Sequence, residues 1–202
     1  MPMYDFAKRA LDVVVGSVAL VISLPMQAIV AGVVLVTHGR PILFRQPRPG
    51  KNGKPFELVK FRTMLHPDAS HLTDDDRLTK VGRFLRSTSL DELPSLCNVL
   101  KGELSLVGPR PLLVEYMPLY TPRQARRHEV KPGVTGLAQV SGRNLLSWEE
   151  KLELDVQYVD NCCLSLDMRI LLMTVSKVLR RDGIAAQGQA TMSRFTGTVE
   201  LS

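Results

Sequence analysis

The sequence predicts an α+β fold, mainly helical, with a small antiparallel sheet and a membrane-inserted N-terminal helix. Three observations lead there. No charged residue interrupts the run from Val13 to Val36. Two short strand-like segments flank a turn-rich stretch between residues 41 and 62. The rest of the chain lacks the strand–helix alternation of a Rossmann-like sheet and carries helical periodicity instead. With 202 residues the expected division is a membrane helix over 1–38, one globular domain over 39–182 and a mobile, small and polar tail over 183–202.

The apolar run comes first. At about 1.5 Å per residue it makes a helix of about 36 Å, enough to cross a hydrocarbon core of about 30 Å. It is too long for a cleavable leader. Ser23 and Pro25 stand at its middle; proline removes one backbone hydrogen bond and bends a helix, and a nearby serine can serve the freed carbonyl. Basic residues flank both ends: Lys8 and Arg9 before, then Arg40, Arg45, Arg48, Lys51 and Lys54 after. Such flanks cannot orient a crossing by the positive-inside rule. A re-entrant helix bent at Ser23 and Pro25 satisfies both facts; a kinked spanning helix is the alternative.

Pro41–Gln46 and Phe56–Arg62 read as strands joined by a turn rich in proline and glycine, a hairpin. Lys60 and Arg62 lie two apart, on one face of the second strand. From His66 to Arg77, with its acidic run Asp74-Asp75-Asp76, the chain reads as a mobile loop. Leu78–Leu85 reads as a short helix, and another starts near Ser89, where Ser89 and Glu92 match a capping box.

Within that second helix start lies the pair Asp91-Glu92, with Arg86 just upstream. Adjacent carboxylates can divide labour between nucleophile or metal ligand and acid, base or orienter. The plainer reading is charge compensation in a first helical turn. Next, Gly108-Pro109-Arg110-Pro111 forms a rigid basic turn, and Lys131-Pro132-Gly133-Val134-Thr135-Gly136 a glycine-rich one without P-loop spacing. The latter suits a phosphate nest or a purely structural turn. Trp148–Asp160 reads as a helix with Asp155 and Tyr158 on one face. Leu164–Arg181 is amphipathic and basic, suited to the core or to an interface with anionic lipid.

Composition narrows the partners. The net charge of +6 favours anionic ones. With 5% aromatic residues and no aromatic–basic interleaving, nucleic acid is not expected. Three cysteines without C-x-x-C, and four histidines without ligand spacing, indicate neither a disulfide framework nor zinc.

Taken together, PILFRQPRPG, FELVKFRTM, RSTSLDELPSLCNVLKGELSLVGPRPLLVEY, VKPGVTGLAQVSGRN and ELDVQYV, in this order, resemble the small monotopic phosphoglycosyl transferases, the bacterial sugar transferase family that starts glycan assembly on polyprenyl phosphate. The family's helix-breaking Ser-Pro appears here as Ser23-Leu24-Pro25. The resemblance implies an enzyme on the cytoplasmic face of the bacterial inner membrane, monotopic, in contact with anionic lipid, that moves a phosphosugar from a UDP-sugar to polyprenyl (undecaprenyl) phosphate and releases UMP. It implies Asp91 as the nucleophile and Glu92 as its partner in proton transfer or in holding Mg²⁺. Arg86 and Pro109-Arg110-Pro111 match phosphate- and uridine-side positions; Lys60, Arg62, Lys131, Thr135, Gln139, Arg143 and Asp155 are further pocket candidates. Downstream glycosyltransferases would take the product. The rival expectations are a glycosyltransferase releasing UDP, and a membrane-tethered basic adaptor in which Asp91-Glu92 is only a cap.

Overall fold

The computed structural model describes residues 2–66, 73–142, 146–180 and 194–197. Helix α1 (Pro2–His38) runs continuously through Pro25. Beside the proline, Ser23 Oγ donates to the Leu20 carbonyl at 3.0 Å and accepts from Gln27 Nε2 at 2.9 Å. The carbonyl that Pro25 deprives of its donor is that of Val21, so the serine bonds the neighbouring carbonyl and not the freed one.

Both ends of α1 dock on the same domain. Near its start, Lys8 Nζ pairs with Asp167 Oδ2 at 2.8 Å. Arg9 donates to the carbonyls of Val99 and Leu100 at 2.7 and 2.6 Å. Asp12 accepts from Ser105 Oγ at 3.0 Å and from Leu106 N at 2.9 Å. At the far end, the Arg62 guanidinium donates to the carbonyls of His38, Gly39 and Arg40. These are the carbonyls that a helix terminus leaves without intrahelical donors. Val30 and Val34 pack against Phe61 and Leu85. Between the moorings the most apolar window, of mean hydropathy 2.4, is only 11% buried.

Strands β1 (Leu43–Pro49) and β2 (Pro55–Phe61) form the expected antiparallel hairpin, pairing Leu43 with Phe61 and Pro49 with Pro55. Its turn at Lys51–Gly53 needs two left-handed residues, Asn52 at φ 57° and Gly53 at φ 71°, the residue types that tolerate this geometry. The segment expected to be a loop carries helix α2 (Asp74–Arg77), because Thr73 and Asp76 form a capping box. Helix α3 (Lys80–Ser87) follows, capped by Thr79 Oγ1 on Gly82 N. Gly82 lets α3 lie against the strand end: a Cβ there would sit 1.9 Å from the Thr63 carbonyl oxygen.

After α4 (Leu96–Lys101) the chain forms β3 (Ser105–Val107), which pairs in parallel with β4 (Gly133–Thr135). Three-residue strands inside glycine-rich turns leave no periodicity to read, so this pair was not foreseen. Helices α5 (Pro122–Ala125), α6 (Leu137–Ser141), α7 (Trp148–Asn161) and α8 (Leu164–Arg180) complete the domain. Leu58, Val99, Leu104, Val107, Tyr158 and Ile170 centre its core. On α8, Asp167 and Ile170 face inward, while Leu164, Met168, Leu172 and Val175 form an exposed apolar stripe. Helix α8 is thus apolar on two faces, one for the core and one left open. The tail is not free throughout: Phe195 is buried against Tyr116, Trp148 and Tyr120. A single large apolar side chain in a polar tail supplies the anchor.

Candidate active site

Residues Leu90–Ser95 form a 3₁₀ helix directly after α3. Ser89 is left-handed, at φ 57° and ψ 17°, and its side chain makes no capping bond. The expected capping box is therefore absent, and Glu92 is turned elsewhere. Its Oε1 accepts from Lys60 Nζ at 2.6 Å and from Arg110 Nη2 at 2.7 Å. One carboxylate oxygen thus joins strand β2 to the Pro-Arg-Pro turn after β3.

Asp91 is buried, 8% exposed, yet no described residue donates a hydrogen bond to its carboxylate. Burial, then the neighbouring Glu92 charge, push its pKa up to about 6 against the pull of Lys60, Arg110 and Arg86. Burial also opposes ionised Glu92, but Arg110 and Lys60 hold it well below the usual carboxylate range. The two neighbours are driven apart: one firmly ionised, the other close to neutral pH. Such divergence marks acid, base and nucleophile pairs, although ion-pair networks produce it too.

The cations are held from behind. Arg86 Nε donates to Thr63 Oγ1 at 3.0 Å, across the approach that Gly82 permits. Arg127 Nη2 donates to the Arg110 carbonyl at 2.6 Å, and its Nε and Nη2 grip Asp155 Oδ2 at 3.1 and 2.7 Å. Both members of that pair are almost fully enclosed, at 1% and 4% side-chain exposure, so Asp155 supports the Arg110 turn and does not line the cleft. Arg48 Nη1 donates to the Pro111 carbonyl at 3.3 Å. Arg48 lines the cleft with Lys60, Glu92, Ser95 and Arg110, and burial with Arg110 nearby lowers its pKa to about 10.

Several expected pocket residues stand elsewhere. Arg62 is spent on the carbonyls at the end of α1, because the chain leaves the strand at Phe61. Thr135 Oγ1 meets Thr174 Oγ1 at 2.7 Å and fastens β4 to α8. Lys131 lies beside Arg9 at the end of α4. The Gln139 amide is enclosed next to Gly136 without a partner among the described residues. Arg143 lies outside the described residues. The glycine-rich turn is structural: Gly133 N donates to the Pro109 carbonyl and Gly108 N to that of Thr135, both at 2.9 Å. Arg48 was missed, and one signal could have found it. Pro47-Arg48-Pro49 repeats the Pro-Arg-Pro of Pro109-Arg110-Pro111.

Among the described residues no three His, Cys, Asp or Glu side chains cluster as a ready metal cage. Asp91 and Glu92 nevertheless suit Mg²⁺, which takes one or two protein carboxylates and fills its shell with phosphate oxygens and water. The Asp91 carboxylate and Glu92 Oε2 have no described donor to displace.

Comparison with known proteins shows the family. A family model described as bacterial sugar transferase matches residues 3–181. The chain is 58% identical over 173 residues to a Bacillus subtilis (strain 168) protein described as the uncharacterized sugar transferase EpsL, covering 84% of this chain and 86% of that one. It is 42% identical over 183 residues to the UDP-glucose:undecaprenyl-phosphate glucose-1-phosphate transferase of Klebsiella pneumoniae, covering 84% of this chain but 39% of that protein. A protein of the same description from Caulobacter vibrioides (strain ATCC 19089 / CIP 103742 / CB 15) is 39% identical over 192 residues, 88% of this chain and 72% of its own length.

Proposed function

The chain belongs to the bacterial sugar transferase family, and from that premise we propose that it is a phosphoglycosyl transferase acting on a UDP-sugar and undecaprenyl phosphate. Relatives described as UDP-glucose:undecaprenyl-phosphate glucose-1-phosphate transferases support the reaction class. The observation that carries the proposal is Asp91: a buried carboxylate without a hydrogen-bond donor among the described residues, surrounded by Lys60, Arg86 and Arg110. A mere cap would be gripped by backbone N–H groups; among the described residues none grips this one.

In the first step an Asp91 oxygen attacks the β-phosphorus of the UDP-sugar. The new O–P bond forms as the bond to the bridging oxygen breaks, and UMP leaves with that electron pair. In the second step an oxygen of undecaprenyl phosphate attacks the phosphosugar on Asp91, forming the diphosphate and freeing the carboxylate. Lys60 and Arg110 keep Glu92 ionised and aimed at the cleft. Arg110, Arg86 and Arg48 offer charge to the diphosphate and are preorganised by Arg127, Thr63 and the Pro111 carbonyl. Mg²⁺ held by Asp91 and Glu92 would neutralise diphosphate charge and improve UMP as leaving group. The lipid diphosphate product is a substrate for further glycosyltransferases.

The proposed setting is the cytoplasmic face of the bacterial inner membrane, with the protein monotopic. Two moorings of α1 on one domain support a helix that enters and leaves by the same face. The exposed apolar faces of α1 and α8 supply the membrane contact.

The test is nucleotide release from a panel of UDP-sugars with Mg²⁺ and undecaprenyl phosphate, beside Asp91→Asn. UMP that depends on lipid and on Asp91 is the expected product. UDP would mean that the sugar moves without its phosphate; no nucleotide from folded protein would favour the adaptor.

A further inference from the structure

An apolar groove of about 360 Å³ runs between the second half of α1 and helix α3. Met26, Ile29 and Val33 line it from α1, Val81 and Phe84 from α3, and Leu90 from the 3₁₀ helix that follows. That size falls within the range of about 300–1,000 Å³ typical of small-ligand sites. Its position is more telling than its size. Leu90 in its lining is the residue before Asp91, so the groove borders the 3₁₀ helix that carries the carboxylate. Its outer wall belongs to the apolar stretch of α1, where Ile29 and Phe84 are 61% and 53% exposed. Among the described residues the one charged side chain along it is Lys80, at the N-terminus of α3.

Resting on the phosphoglycosyl transferase reading, we propose that this groove receives the first isoprene units of the polyprenyl phosphate acceptor. The acceptor is a phosphate on a long apolar chain. Its head must come within bonding distance of phosphorus held on Asp91, while its tail remains in hydrocarbon. A chain laid against Leu90 brings its phosphate to Asp91 and Arg86 and leaves past Ile29 along the membrane-facing side of α1. Apart from Lys80 the wall is apolar, so it recognises the chain by shape and close packing. Affinity should therefore depend on prenyl length until the groove is full, and then level off.

The two half-reactions separate this proposal from the function it rests on. The full chain in lipid nanodiscs is incubated with UDP-sugar and Mg²⁺, and the phosphosugar adduct on Asp91 is followed by intact mass. Polyprenyl phosphates of increasing length are then added and the KM for each is measured. The wild type is expected to show KM falling over the first few isoprene units. Ile29→Trp, which fills the groove from an exposed position, and Phe84→Ala, which removes an exposed wall, should still form the adduct. Each should raise the KM for undecaprenyl phosphate about tenfold, and Ile29→Trp should flatten the length dependence. Val14→Trp, on the exposed apolar face well outside the groove, should match the wild type. Wild-type KM and length dependence in both groove variants would overturn the groove while leaving the reaction intact. Failure of the wild type to form any adduct would instead remove the reaction it depends on.

Discussion

Two buried acidic centres in this protein are built from the same materials and arranged differently. Asp167 on α8 has both oxygens engaged: Tyr158 donates to Oδ1 at 2.6 Å, while Lys8 and Tyr4 donate to Oδ2 at 2.8 and 3.1 Å. Asp91 is nearly as enclosed, sits among more cations, and receives no hydrogen bond from a described residue. The first centre ties α1, α7 and α8 into one body. The second keeps a carboxylate that no described residue hydrogen-bonds. Between these two centres the difference lies in hydrogen bonding more than in burial.

The largest test of that contrast is to remove each acid in turn. Asp91→Asn should lower phosphosugar transfer by about 10⁴-fold or more, roughly 5.5 kcal/mol of barrier, with the fold preserved by circular dichroism. Asp167→Ala should do the reverse. It strands Lys8 and Tyr158 and should cost about 3–5 kcal/mol of stability, as expected when one partner of a buried pair is removed; thermal unfolding in detergent measures it. Full activity loss with unchanged stability in Asp167→Ala would break the comparison.

A finer test uses pH. The folded pKa of Asp91 is raised to about 6 by burial and by Glu92, so the native state binds this proton more tightly than the unfolded chain does. Its ionisation costs stability as pH rises from about 4 through 6, and the cost is complete above that. Asp91→Asn should therefore melt higher than the wild type at pH 7.5, by the equivalent of about 1–3 kcal/mol, with the difference vanishing below about pH 4. Adduct formation in the wild type should fall about tenfold per unit below pH 6, where the nucleophile is protonated. A pH-independent difference in melting would mean that Asp91 is not strained.

Much of this site could be read from sequence because its parts lie in short, chemically loaded motifs. Asp91, Glu92, Arg86, Lys60 and Arg110 stand near one another in the fold. What could not be read were partners fixed by long-range packing. Arg62 and Asp155 carry the right charges for a pocket, but one holds the end of α1 and the other holds Arg127. Thr135 looked like a ligand hydroxyl and is a fastener to Thr174. The Ser89–Glu92 spacing suggested a cap, and only the left-handed backbone at Ser89 reveals that Glu92 is free for other work. The hairpin and the long helices were legible from pattern; the three-residue strands β3 and β4 were not, since so few residues carry no period.

The double mooring of α1 has a mechanical meaning. A helix fastened at Lys8–Asp167 and again at Arg62 cannot swing like a tether. The height of Asp91 above the greasy side of the molecule is thus a fixed dimension of the fold. The protein behaves like a gauge resting on a surface: a phosphate carried at the right level meets the carboxylate, and one held deeper or shallower passes by.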